Sequence, residues 1–193
     1  MQLFGSLTSP YVRKLRVVAA ELGIDLPFVE LSPMDDGAEL LAANPLAKVP
    51  ALVLDDGTAL VDSPVIAAWL LAQAPGNALL ASDGPAHWAG RTSEAIADGI
   101  LDAAIVLRFN AAQGVTSGLW VDRQYRSIDR ALAALAIRVG EGFGYGEICA
   151  IVAVEYLDLR WPGIDWRGAQ PALAALQARL TGRASLQATR PPG

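Results

Sequence analysis

The stretch Gly5-Ser6-Leu7-Thr8-Ser9-Pro10-Tyr11-Val12-Arg13-Lys14-Leu15 decides how the chain begins to fold. It follows a short apolar start, Met1 to Phe4, and opens an amphipathic run that continues to about Leu22. Val12, Leu15, Val18, Ala19 and Leu22 recur at three- and four-residue spacing, as in a helix that buries one face. Ser9 suits the N-cap, Pro10 the first helical position and Gly23 the stop. A strand therefore runs into a loop that ends on a helix N-terminus. Free N–H groups and the positive end of the helix dipole favour an anion there. Two hydroxyls, Thr8 and Ser9, stand at that point.

Working outward, Gln2 to Phe4 reads as a strand, Leu26 to Leu31 as a second strand, and Asp35 to Ala43 as a short helix that ends before Asn44-Pro45. Lys48 to Leu54 is an apolar strand introduced by Val49-Pro50; Asp56-Gly57 makes a tight turn, and Thr58 to Val61 returns as its partner. Asp62-Ser63-Pro64 repeats the opening device and starts a helix over Val65 to Leu71. The order β-α-β-α-β-β-α predicts a mixed sheet with helices on both faces.

Between Ala74 and Pro85 the composition turns to Pro, Gly, Asn, Ser and Asp. A linker at about residues 76–83 divides the chain into an α/β domain over 1–75 and an all-helical domain over 84–193. Helices are expected over Ala86 to Ala112, Leu119 to Val139, Tyr145 to Arg160 and Pro171 to Leu180. The third is the most apolar and is expected to be the core. The tail Ala188 to Gly193 is expected to be loose.

The net charge of −5 over 193 residues argues against nucleic acid as a partner. Residues 1–75 carry all of the imbalance, with only Arg13, Lys14, Arg16 and Lys48 against nine carboxylates, while the remainder balances. The single cysteine, Cys149, cannot form an internal disulfide, and no signal peptide or membrane span is evident, so a cytoplasmic protein is expected. One His and one Cys exclude a His/Cys metal cluster, a Ser-His-Asp triad and a Cys-His dyad; no metal site is expected.

Four motifs carry a resemblance: Ser9-Pro10-Tyr11-Val12-Arg13-Lys14, Asn44-Pro45-Leu46-Ala47-Lys48-Val49-Pro50-Ala51-Leu52, Asp62-Ser63-Pro64-Val65-Ile66 and Ala97-Asp98-Gly99-Ile100-Leu101-Asp102. With the closing Ala188-Thr189-Arg190-Pro191 they span nearly the whole chain. The sequence resembles a small bacterial glutathione S-transferase of serine type, close to the tau-, zeta- and beta-like classes. The resemblance implies a thioredoxin-like N-terminal domain that binds glutathione, an all-helical C-terminal domain, and a homodimer. It also implies detoxifying transfer of glutathione to a small electrophile, with glutathione as co-substrate and no cofactor. A glutathione-binding module or ligand carrier without transferase activity is the alternative. Two positions depart from the family pattern. Gly144 stands at the cap of the most apolar helix with Glu147 three residues on, and the γ-glutamyl-binding pair is Asp62-Ser63, one methylene shorter than the usual Glu or Gln.

On this resemblance Ser9 is the catalytic candidate, donating a hydrogen bond to the glutathione sulfur and stabilising its thiolate beside the helix N-terminus. The plain alternative is that Ser9 is only a cap; Thr8 is its nearest rival for the sulfur, and Ser6 a weaker one. Val49 is expected to pair its backbone with the cysteinyl part of glutathione, before a cis Pro50. Asp62 and Ser63 suit the γ-glutamyl ammonium and carboxylate, and Lys48 the glycyl carboxylate. Ser9 also stands where thiol-transferring relatives carry Cys, which disfavours disulfide reduction.

On the first long helix Glu94, Asp98 and Asp102 recur every four residues, either as a solvated face or as a face toward the electrophile or a partner subunit. Arg91 and Arg108 are placed to offset that charge. Asp98, Asp102 and Arg108 are taken as candidates for an electrophile-site or dimer-cleft role. Trp120 and Phe109 are read chiefly as buried packing residues, with the shaping of an apolar substrate pocket as the alternative.

Overall fold

The computed structural model describes residues 1–192. The chain divides into two compact units, one comprising residues 1–78 with 182–192, the other residues 79–181.

The first unit holds β1 (Gln2–Gly5), α1 (Pro10–Leu22), β2 (Phe28–Glu30), α2 (Ala38–Ala43), β3 (Ala51–Val53), β4 (Ala59–Leu60) and α3 (Ser63–Gln73). The four strands form one sheet in the order β2-β1-β3-β4. β1 pairs parallel with β2, as the α1 crossover requires, and antiparallel with β3, which pairs antiparallel with β4. Side chains alternate across a sheet. Phe4 and Ala51, opposite each other, lie on one face, in a cluster with Leu40 and Ala43 of α2. Leu3 and Leu52, the next pair, point to the other face and are fully buried. Gly5 shares that second face, and a Cβ built on it would meet Val12 Cγ2 at 2.4 Å, so α1 lies directly against β1 there. α3 packs against α1. This is a thioredoxin-like layered arrangement, as expected.

The expected α2 start at Asp35 is corrected. Asp35 and Asp36 form a turn in which Asp36 takes φ 45°, a conformation Asp tolerates, and the helix begins after Gly37.

The second unit holds α4 (Gly84–Ala112), α5 (Leu119–Ala136), α6 (Tyr145–Arg160), α7 (Trp166–Ala169) and α8 (Pro171–Leu180). α6 is the core helix: Ile148 to Val154 are all buried, and it packs on α4 and α8. Its cap works as the departures from the family pattern allow. Glu147 accepts from the Gly144 N–H at 3.0 Å and from the Gly140 N–H at 3.2 Å. Glycine at 144 has a packing reason, because a Cβ there would lie 3.0 Å from the Leu79 carbonyl oxygen, which accepts from the Tyr145 N–H. α5 stops at Ala136, three residues short of the expected end, with Ile137 as its C-cap and exposed. Trp120 and Phe109, read as buried packing residues, are 59% and 44% exposed.

Residues 182–192, read above as part of the helical domain, instead belong with the first unit. α9 (Ala184–Ala188) packs on α1. The tail is not loose throughout: Thr189 is buried, and its hydroxyl donates to the Ser185 carbonyl at 2.8 Å. Gly193, the last residue of the expected loose tail, lies outside the described residues.

Candidate functional site

Three segments far apart in sequence meet at one end of the sheet. In the β1–β3 register Phe4 faces Ala51, so the chain beyond β1, from Ser6, runs past Val49. In the β3–β4 register Leu52 faces Leu60, so the chain beyond β4 carries Asp62 and Ser63 past Pro50 and Val49. Neighbouring strands lie about 4.8 Å apart, so the outer two of these three segments are separated by roughly 10 Å. That is about the length of an extended tripeptide.

The loop after β1 closes with a bond from the Ser9 N–H to the Ser6 carbonyl at 3.1 Å. Ser9 has extended backbone (φ −75°, ψ 122°) and caps α1, its Oγ accepting from the Val12 N–H at 3.4 Å and its carbonyl from the Arg13 N–H at 3.0 Å. Accepting that bond uses an oxygen lone pair and leaves the O–H to donate. Capping and donating to a sulfur are therefore compatible roles. Thr8 stands one residue before the cap and Ser6 three before it, both half-buried.

The Val49–Pro50 peptide is cis. Val49 packs its side chain against the Phe4–Ala51 cluster. No other described residue hydrogen-bonds its backbone N–H or C=O. Asp62 is the N-cap of α3 and exposed, with no capping bond from its side chain. Ser63, at the first position of α3, is 2% exposed. Lys48 is exposed.

Two features of this end escaped the sequence reading. Asn44, quoted there only as the end of α2 and part of a motif, is 1% exposed and holds the loop before Val49. Its Nδ2 donates to the Lys48 carbonyl at 2.7 Å, its Oδ1 accepts from the Leu46 N–H at 3.1 Å, and its carbonyl accepts from the Ala47 N–H at 2.9 Å. Arg13 and Lys14 are buried, Lys14 to 1% exposure. A helical wheel carries the signal for Lys14, since it falls on the stripe of Pro10, Val17 and Val18, where a long side chain lays its methylenes along apolar surface.

On α4 the three acidic residues separate. Glu94 is 3% exposed; it accepts from the Tyr145 hydroxyl at 2.5 Å and from Arg91 Nη1 at 2.8 Å. Burial foremost, with the neighbouring Cys149 and Glu94, pushes the Tyr145 hydroxyl well above its ordinary pKa, so it stays a donor. Glu94 thus ties α4 to α6 and belongs to packing. Asp98 is half-buried and Asp102 exposed, one turn apart on one face, whereas Arg108 lies about 120° round the helix from Asp102. Arg108 instead sits over the Phe109 ring, 6.0 Å from its centre.

Among the described residues no group of three or more His, Cys, Asp or Glu side chains is placed to hold a metal ion, and no helix is long and apolar enough to cross a membrane.

Comparison with known proteins identifies the fold and its relatives. Residues 3–78 match the family model "Glutathione S-transferase, N-terminal domain". The uncharacterised GST-like protein YibF of Escherichia coli (strain K12) is 34% identical, over 100% of this chain and 99% of its own. A glutathione S-transferase of Methylobacterium radiotolerans, solved in complex with glutathione sulfonate, superposes with TM-score 0.92 at 34% identity, over 100% of this chain and 95% of its own. A glutathione transferase family member of Pseudomonas fluorescens Pf-5, solved with bound glutathione, does so with TM-score 0.89 at 40% identity, over 100% of this chain and 99% of its own.

Proposed function

The chain belongs to the glutathione S-transferase family, and from that premise we propose that the end of the sheet carrying Ser9, Val49 and Ser63 binds glutathione for transfer to a small electrophile. The observation that carries the reading is the register: it lines up a capping hydroxyl, an unpaired backbone edge and a serine at a helix N-terminus over the span of one tripeptide. Val49 pairs with the cysteinyl residue as an added strand would. Ser63 takes the γ-glutamyl carboxylate, Asp62 its ammonium, and Lys48 the glycyl carboxylate. Pro50 fixes the turn between Val49 and β3.

The sulfur then lies near the N-terminus of α1. A cysteine thiol has a reference pKa of about 8.5, and each unit of depression requires only about 1.4 kcal/mol of preference for the thiolate. One hydrogen bond from the Ser9 hydroxyl and the helix N-terminus are together sufficient for that. The thiol proton leaves to solvent, and the sulfur lone pair attacks the electrophilic carbon. The reaction ends either in loss of a leaving group or in protonation of the adduct. We propose in addition that the active form is a homodimer, read by sedimentation at micromolar protein. Asp98, Asp102 and Arg108 are proposed to serve the electrophile or the second subunit.

The test is a spectroscopic titration of the bound thiol in wild type, Ser9→Ala and Thr8→Val. Ser9→Ala should raise the bound thiol pKa and lower kcat with a smaller change in glutathione affinity. An unchanged titration in Ser9→Ala, with a shift in Thr8→Val, moves the role to Thr8. Binding without conjugation of any electrophile tried leaves a ligand carrier.

A further inference from the structure

We propose that α9 is a brace for α1, and that Arg13, Glu21, Arg183 and Ser185 are positioning residues which set where Ser9 sits. The inference rests on the reading of Ser9 above. α1 spans 13 residues with Ser9 at its N-cap, a rod of about 20 Å. α9 holds it at both ends. In the first turn Arg13 Nη2 donates to the Leu186 carbonyl at 3.4 Å, inside a buried contact. In the last turn Glu21 accepts from Arg183 Nε at 2.7 Å and Nη2 at 2.6 Å, and from the Ser185 hydroxyl. The Arg13 anchor lies on the same turn as the site, since its own N–H bonds the Ser9 carbonyl.

The two ends differ in strength. The Arg13 bond is long, whereas the Arg183–Glu21 pair is bidentate and charge-assisted, which makes it directional. Hydrogen bonds from Arg183 foremost hold the Glu21 carboxyl below its ordinary pKa, against the opposing effect of burial, so it is ionised at neutral pH. Ser185 and Leu186 are buried, and the Thr189 hydroxyl secures α9 from beyond its end. A helix pinned at two points cannot tilt without breaking one set. Tilt is what a hydroxyl donating to sulfur tolerates least, because hydrogen bonds weaken steeply with distance and angle.

The brace is tested in the full-length protein with Arg183→Ala, Glu21→Gln and Ser185→Ala, and with Arg183→Lys as the conservative variant. Ser9→Ala is measured alongside. The readouts are the bound-thiol titration and the kcat and KM for glutathione. Arg183→Ala should raise the bound thiol pKa by about half a unit to one unit, lowering the thiolate fraction below that pKa about three- to tenfold. Arg183→Lys keeps the charge but not the two-pronged geometry, and should recover only part of the shift. Ser185→Ala removes one hydroxyl only and keeps the test open if the charge variants fold poorly. Brace variants that melt earlier yet titrate like wild type, beside a shifted Ser9→Ala, reject the brace alone. A Ser9→Ala protein that titrates like wild type rejects the site reading beneath it.

Discussion

A hydroxyl accepts and donates separately, and Ser9 uses the two capacities in different directions. As an acceptor it caps α1 through the Val12 N–H; as a donor it is proposed to face sulfur. Ser9→Asp separates them. Asp is as good a cap, but ionised it has no proton to give, and its charge repels a thiolate. Folding stability should stay within about 0.5 kcal/mol of wild type by urea titration, while the bound thiol pKa rises beyond that of Ser9→Ala. A stable Ser9→Asp protein that titrates like wild type would place the donor elsewhere. Gly5 gives a second prediction at this scale. A Cβ on Gly5 meets Val12, whose branched side chain is stiff at χ1. Gly5→Ala should cost about 1–3 kcal/mol, and Gly5→Ala with Val12→Ala should cost less than the two changes separately. Serine, valine–proline and aspartate–serine were legible because each is a local pattern at an element boundary. Asn44 and the buried Arg13 were not: Asn44 is held by the folding of its own loop onto Leu46, Ala47 and Lys48, and Arg13 by a tertiary contact with Leu186, and no apolar spacing encodes either.

Elements were legible where a start signal and an apolar stripe agreed. α6 begins and ends where its pattern does, at Tyr145 and Arg160. Boundaries slipped where neither was strong. α2 lost its first residues to an Asp-Asp-Gly turn, and α5 stopped short of Ile137 and Val139, β-branched residues that favour helices less. α9 was missed because five residues of weak periodicity carry little signal on their own; the contacts to Arg13 and Glu21 hold it. The acidic repeat of α4 was legible as a pattern but not as a division of labour. Glu94 turns inward because Tyr145 and Arg91 meet it. Tyr145→Phe should therefore cost about 1–3 kcal/mol, the cost of leaving a buried carboxylate short of a partner. Replacing Glu94 with Leu in the same protein should recover part of that, since Arg91 can turn to solvent. Urea midpoints of the two single variants and the double give the coupling; strict additivity would mean that the bond does not tie α4 to α6.

At the scale of the whole molecule each compact unit carries a carboxylate held below its ordinary pKa, and the two respond to acid in the same sense. In the first unit, besides the exposed Asp56 held down by its bonds with Thr58, it is Glu21, held down by Arg183 and Ser185. In the second it is Asp158 of α6. Burial would raise the Asp158 pKa, but hydrogen bonds from Arg167, Gln177 and Trp166 together outweigh that and lower it. Arg167 is set by its own stacking on Trp166, 4.2 Å from the ring centre, and donates to both Asp158 oxygens, at 2.8 and 2.6 Å. A carboxylate with a depressed folded pKa adds stability above its unfolded value, about 3.9 for Asp and 4.3 for Glu, and loses it as pH falls through the folded value. Stability should therefore be flat near neutrality, begin to fall as the pH reaches about 4, and keep falling below it. Asp158→Asn removes one of these terms. At pH 7 it should melt below wild type, and the difference should shrink as pH drops under 4, because protonation does to wild type what the substitution has already done. Glu21→Gln should narrow its gap to wild type in the same way, but it alone should also disturb the bound-thiol titration, since α1 and not α6 carries Ser9. Melting temperatures of the three proteins from pH 7 to pH 3 test the assignment. A gap that stays constant across that range for Asp158→Asn would mean that its ionisation contributes nothing, and that Arg167, Gln177 and Trp166 hold α7 and α8 to α6 through uncharged contacts alone.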